Sequence, residues 1–136
     1  MVVAGYLGTS GMRKAHPASP FFVSVDQRDL TDQERALVVD VLRREAPQYL
    51  DQVPGLRVVG RCGCGVCPTV FFKVDARGNP NRELASYMGR DAAGGLTGVV
   101  LWQCEGALSQ LEFYSVDGHD PWAMPSVETI YKPPHA

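Results

Sequence analysis

Leu96-Thr97-Gly98-Val99-Val100-Leu101-Trp102-Gln103-Cys104, then Glu105-Gly106, then Ala107-Leu108-Ser109-Gln110-Leu111-Glu112-Phe113-Tyr114-Ser115-Val116, is the stretch on which the fold depends. Its first arm is almost continuously apolar, as a strand covered on both faces is. Glu105-Gly106 supplies a two-residue turn into the second arm. Counting outward from the turn sets a register. Cys104 opposes Ala107, Trp102 opposes Ser109, Val100 opposes Leu111 and Gly98 opposes Phe113, which makes one strongly apolar face. Gln103 with Leu108, Leu101 with Gln110, Val99 with Glu112 and Thr97 with Tyr114 make the other. The first face is expected to pack under a helix and the second to remain open as a working surface.

Towards the N-terminus, Ala92-Ala93-Gly94-Gly95 reads as a connection. Glu83 to Arg90 alternates Leu84, Ser86 and Met88 with Ala85 and Tyr87, which leans to strand, while Glu83-Leu84-Ala85 would also start a helix. Asp75 to Asn81 is a loop by its turn chemistry. Leu56 to Cys62 and Pro68 to Val74 have a period of two and predict an antiparallel pair. Leu56, Val58, Val70, Phe72 and Val74 would face the helix, leaving Arg57, Arg61, Thr69 and Lys73 on the opposite side with Val59 and Phe71.

The helix itself begins at Thr31, which forms a capping box with Glu34. Leu37, Val38, Val41 and Leu42 recur at helical spacing, and Pro47 stops the helix because it cannot donate to the ladder. Tyr49, Leu50 and Val53 suit one further short turn before Pro54-Gly55. Phe21-Phe22-Val23-Ser24-Val25 can add an edge strand or anchor the preceding arm. Asp117 to Pro121 ends the sheet, and Trp122 to Ala136 reads as an extended tail laid over the domain. These elements predict one α+β domain over residues 30–132, with one main helix packed on a four- to five-stranded antiparallel sheet. A flexible arm with room for an edge strand precedes it over 1–29, and a tail follows over 133–136.

Composition narrows the function. The 136 residues, 45% of them hydrophobic, suffice for one core. The formal charge is -2, with acids and bases interleaved, which argues against nucleic acid as a partner. No segment approaches the roughly 18 apolar residues of a membrane helix. The N-terminus, with its apolar run broken by glycines, does not read as a secretory signal, so a cytoplasmic protein with reduced cysteines is expected.

Arg61-Cys62-Gly63-Cys64-Gly65-Val66-Cys67-Pro68 holds three of the four cysteines. Cys62, Cys64 and Cys67, with Cys104 as a remote fourth thiol, could supply the sulfur set that zinc prefers. The same segment suits a turn between buried strands, with cysteine acting as a small apolar residue. Cys64-Gly65-Val66-Cys67 also has dithiol redox spacing, but Pro68 and the β-rich Val70-Phe71-Phe72 leave out the helix that would activate it. No cofactor is required by this pattern, although it leaves room for zinc. His119, between Asp117 and Asp120, could join an acid-histidine-cysteine set if Cys62 or Cys64 folded close, and a solvated turn residue is the plainer reading. Glu112 and Asp75 could pair for acid-base work, but Arg57, Arg61 and Lys73 on the same face favour an ion-paired surface. No P-loop, dinucleotide fingerprint or nucleophile elbow occurs.

The capped Thr31-Asp32-Gln33-Glu34-Arg35 helix, Arg57-Val58-Val59-Gly60-Arg61-Cys62-Gly63-Cys64, Gly106-Ala107-Leu108-Ser109-Gln110-Leu111-Glu112-Phe113-Tyr114 and the closing Pro125-Ser126 together resemble a group of small uncharacterised actinobacterial proteins. The resemblance spans roughly Leu30 to Ile130 and implies a helix-plus-sheet layout without implying an activity. Val66 is an insertion relative to that group's tighter cysteine segment. The chain as a whole therefore reads as a non-catalytic binding or regulatory module. Its open sheet face, with Arg57, Arg61, Lys73, Gln110, Glu112 and Tyr114, would hold a protein partner or a second copy in a homodimer. The alternative is a zinc-stabilised domain or small thiol enzyme built on Cys62, Cys64 and Cys67.

Overall fold

The Thr31 side chain accepts a hydrogen bond from the Glu34 N–H at 3.1 Å, and the Glu34 carboxylate accepts from the Thr31 N–H at 2.9 Å. This reciprocal cap opens the helix α1, Asp32–Glu45, in the computed structural model, which describes residues 22–74 and 81–134. Arg28 adds a bidentate bond to Glu34 at 3.0 Å through each nitrogen, so the buried carboxylate is fully engaged. Leu37, Val38, Val41 and Leu42 form the buried stripe of α1. After Ala46, Pro47 opens a 3-10 segment, Pro47–Gly55, in which Val53 is buried. The expected short turn is thus a longer continuous segment.

The strands are β1 Phe22–Arg28, β2 Val58–Cys62, β3 Val70–Phe71, β4 Arg82–Arg90, β5 Leu96–Cys104 and β6 Ala107–Ser115. They form one six-stranded sheet in the order β1-β2-β3-β6-β5-β4, and every pairing is antiparallel. The α+β class and the antiparallel sheet agree with the expectation from sequence. The strand number exceeds the four to five expected, because Phe22–Arg28 pairs with β2 as an edge strand, with a break in register between Ser24 and Arg28. The segment 83–90, open between strand and helix in the sequence, is strand β4. The flexible arm expected over 1–29 lies outside the described residues as far as Phe21. So do Asp75 to Pro80 of the expected loop and the end of the tail, His135-Ala136.

The β5–β6 turn is the two-residue turn read from Glu105-Gly106. Glu105 has φ 53° and Gly106 φ 83°, the paired positive values of a turn whose twist matches that of the strands it joins. From there the expected register fails within three residues. Cys104 opposes Ala107 and Gln103 opposes Leu108, but Trp102 opposes Gln110, so Ser109 is an extra residue. This β-bulge inverts the parity of one strand relative to the other. Leu101 then opposes Leu111 and Val99 opposes Phe113 in the dry face, while Val100 opposes Glu112 and Gly98 opposes Tyr114 on the other. Leu111 and Phe113 are buried as expected, whereas the expected faces of Leu101, Val99, Leu108, Trp102, Val100 and Gly98 are corrected. Ser109 is held by two long-range bonds: its carbonyl accepts from the Phe72 N–H at 2.9 Å, and its hydroxyl meets Asn81 Oδ1 at 2.9 Å.

The core lies between the sheet and α1. Leu37, Val38, Val41 and Leu42 meet Val58, Val70, Phe72, Ala85, Tyr87, Val99, Leu101, Leu108, Leu111 and Phe113. Val74, expected in this face, is 70% exposed because β3 ends at Phe71. The C-terminal segment is laid over the domain as expected. Ser126 N–H donates to the Arg90 carbonyl at 2.8 Å, Ile130 enters the core, and Tyr131 forms a bridge with Met88 beside β4. Glu45 at the end of α1 accepts from the Tyr87 hydroxyl at 3.0 Å and pairs with Lys132, which ties helix, sheet and tail together. Among the described residues no helix is long and apolar enough to cross a membrane.

Candidate functional site

The end of the sheet where β2 finishes, β3 starts and β6 finishes carries a cysteine turn. Cys62 is the last residue of β2, pairs with Phe22 of β1, and donates its N–H to the Thr69 carbonyl at 3.3 Å. Gly65 has φ +80°, a left-handed conformation that glycine adopts without a Cβ clash. The chain beyond it doubles back, so that the N–H groups of Val66 and Cys67 donate to Cys64 Sγ at 3.5 and 3.3 Å. Cys64 Sγ and Cys67 Sγ are 3.3 Å apart, and the sulfurs of Cys62, Cys64 and Cys67 all lie within 4.8 Å of one another. These three residues are therefore close enough to hold a metal ion.

The turn also separates the thiols electrostatically. The N–H donors of Cys67 and Val66, helped by the Cys67 thiol, lower the exposed Cys64 thiol to about 7. Burial, reinforced by the neighbouring Cys67 and Cys64, pushes the Cys62 thiol up to about 12. Cys104 takes no part. It is buried beside the β5–β6 turn at the opposite end of the sheet. No helix follows Cys67, since the next regular element is the strand β3.

A second polar cluster occupies the β4–β5 side of the same sheet end. His119 Nδ1 lies 2.5 Å from Asp117 Oδ1, and its Nε2 lies 2.7 Å from Asp91 Oδ2. The buried Asp91 also accepts from the N–H groups of Ala93 and Gly95 through Oδ1, at 3.0 and 2.9 Å, and of Ala123 through Oδ2 at 3.1 Å. His119 and these backbone donors hold Asp91 at about 2. The Leu96 N–H, followed by His119, holds Asp117 at about 2, and the two carboxylates raise His119 above its ordinary value. An imidazole bonded to a carboxylate at each nitrogen has no lone pair left to serve as a base. The acid-histidine-cysteine set imagined from sequence does not form; among the described residues no histidine belongs to the sulfur cluster.

The third feature is the sheet face away from α1. Phe71 and Val100 are buried yet stand outside the core cluster that packs under α1. The Phe22 ring sits over Gly60, leaving no room there for a Cβ, and meets Phe71 edge-on with centroids 5.0 Å apart. Trp102 Nε1 donates to Glu112 Oε1 at 2.9 Å, and the Tyr114 ring lies over Gly98 while remaining 40% exposed.

Of the six residues read from sequence as a binding set, Gln110, Glu112 and Tyr114 share this face. Arg61 pairs directly with Val70, which opposes the core residue Leu111, so it lies on the helix side of the sheet. Arg57 precedes β2 and forms an ion pair with Asp29 at 3.1 Å. Lys73 follows β3 and is half-buried. The six therefore do not form one patch. Asp75, the imagined partner of Glu112, lies outside the described residues, and Glu112 bonds Trp102 instead. Trp102 and Val100 were missed as members of the open face because the Ser109 bulge is silent in sequence. Asp91 was missed because its partner His119 is 28 positions away.

No family model matches this chain, and searches for similar curated proteins and for similar solved structures returned no match.

Proposed function

We propose that this chain is a non-catalytic binding or regulatory module that holds a protein partner, either a different protein or a second copy of itself, on the open sheet face. The observation that carries the proposal is the aromatic and polar mixture of Phe22, Phe71, Trp102, Tyr114, Gln110 and Glu112 on the face that α1 leaves uncovered. Aromatic rings with a hydrogen-bonding end, set among apolar neighbours, are the side chains that dominate protein interfaces. The near-neutral, interleaved charge suits a protein partner better than a nucleic acid, and the reduced thiols suit the cytoplasm.

Photo-crosslinking from position 114 tests this, followed by binding measurements with the captured protein in purified form. Trp102→Ala combined with Tyr114→Asp is expected to weaken binding at least about tenfold, the loss of roughly 1.4 kcal/mol that one good anchor supplies. Arg43→Ala, on the exposed side of α1, should leave binding unchanged. Equal crosslinking from positions 43 and 114 would contradict the proposal.

A second reading, a zinc-stabilised domain or a small thiol enzyme, is favoured by the convergence of Cys62, Cys64 and Cys67. It is compatible with the first, since the cysteine turn and the open face share Cys62 and its partner Phe22. Zinc suits three close thiolates better than thiol catalysis suits a turn with no helix and, among the described residues, no histidine in the sulfur cluster. Elemental analysis of purified protein should find one zinc per chain, lost in Cys64→Ser. In the metal-free protein Cys64 should alkylate well ahead of Cys62; a slow, uniform response of all four cysteines would rule out the enzyme branch.

A further inference from the structure

The cysteine turn is placed where a metal ion would control more than the turn. A tetrahedral zinc site with Zn–S bonds of about 2.3 Å sets its sulfurs about 3.8 Å apart. Here the Cys64 and Cys67 sulfurs, at 3.3 Å, need only open slightly, and no pair exceeds 4.8 Å, so closing the widest one requires a shift of about 1 Å or less. The two N–H donors on Cys64 Sγ hold that sulfur inward before any ion arrives. Each thiol that ligates gives up its proton to solvent, and the three thiolates fill three of zinc's four tetrahedral positions.

The load on this turn comes from its neighbours. β3 is only two residues long, so few ladder bonds join β2 to β6 through it. The Cys62 N–H to Thr69 carbonyl bond continues that short ladder. Thr69 passes it on, its hydroxyl accepting from the Phe113 N–H at 3.0 Å and donating to the Phe113 carbonyl at 3.4 Å. On its other side Cys62 opposes Phe22, the residue whose ring covers Gly60 and meets Phe71.

We infer that zinc held by Cys62, Cys64 and Cys67 fastens the β1–β2–β3 end of the sheet, so that metal loading seats Phe22 on the open face and couples metal occupancy to recognition. This rests on the zinc reading of the same cysteines. Zinc links Cys62 to a closed turn, and the chelate removes fraying from the rung that Phe22 needs. Loading therefore protects β1 and β2 and leaves β5 and the β5–β6 turn as they were.

Hydrogen exchange of the full-length reduced chain, with and without one equivalent of zinc sulfate, tests the inference, with bound metal measured on the same samples. The expected result is one zinc per chain and exchange slowed at least tenfold over residues 22–28 and 58–62, with no change over 96–108. One zinc per chain with unchanged exchange over 22–28 would overturn the coupling and leave the zinc reading standing. No retained zinc would overturn both. Because the wild-type chain serves as its own control, failure of a cysteine variant to fold does not obscure the result; Cys64→Ser, with zinc added, should show the zinc-free exchange pattern.

Discussion

Leu101 and Trp102 are neighbours in sequence and end in opposite surroundings. Leu101 is wholly buried under α1, while Trp102 is half-buried on the uncovered face with its indole N–H on Glu112. The same sheet is thus dry on one side and mixed on the other. The covered face is built mainly from apolar side chains, with the Tyr87 hydroxyl satisfied by Glu45, so its stability comes chiefly from burial. The uncovered face mixes rings with polar side chains, and there the Trp102 indole bonds the Glu112 carboxylate across the hairpin. A β-bulge at a single serine decides which side chains go where, and that choice is tertiary.

Deleting Ser109 should have the largest effect. Without the extra residue, plain alternation would turn either Leu108 or the Leu111 and Phe113 pair out of the core, costing more than about 3 kcal/mol and abolishing a cooperative transition by denaturant unfolding. Persistence of a wild-type transition would break the two-face account. Leu101→Ala should come next, at about 2–5 kcal/mol, because the site is enclosed on all sides. Trp102→Ala should cost less, about 1–2 kcal/mol, since the ring is half-exposed and the Glu112 carboxylate can turn to water. Equal losses in the two variants would contradict the assignment of faces.

The His119 clamp gives a pH signature. The pKa of His119 is raised above its ordinary 6.5, so its stabilisation is complete below that value and is lost as pH rises through the raised pKa. Asp91 and Asp117, at about 2 against an ordinary 3.8, act in the opposite sense: their contribution is present above 3.8 and lost as pH falls towards 2. The denaturation midpoint should therefore be highest between these limits, and His119→Gln should flatten the alkaline limb. An unchanged limb in the variant would refute the clamp. The smallest effect on stability should come from Cys64→Ser in the metal-free chain, within about 0.5 kcal/mol, because the residue is an exposed part of a turn.

What the sequence could show follows from the range of each interaction. The helix was legible because Thr31 and Glu34 cap each other three residues apart, and the hairpin because Glu105-Gly106 is a local turn signal. The cysteine turn was legible for the same reason, since its three cysteines fall within six consecutive positions. Ser109 carries no local mark; its carbonyl is recruited by Phe72 and its hydroxyl by Asn81, both remote in sequence. Register beyond the turn could not be counted without them. The binding set read from sequence dispersed for a related reason. Arg61 and Val70 face each other across a ladder, so an assignment that placed them on opposite faces could not survive pairing.

Hydroxyl-radical footprinting of the full chain, alone and with its purified partner, tests the two-face claim most directly. Trp102 and Tyr114 should be oxidised in the free chain and protected by the partner, with Leu101 and Phe113 unreactive in both. Oxidation of Leu101 or Phe113 ahead of Trp102, or a partner that leaves Tyr114 fully reactive, would contradict it.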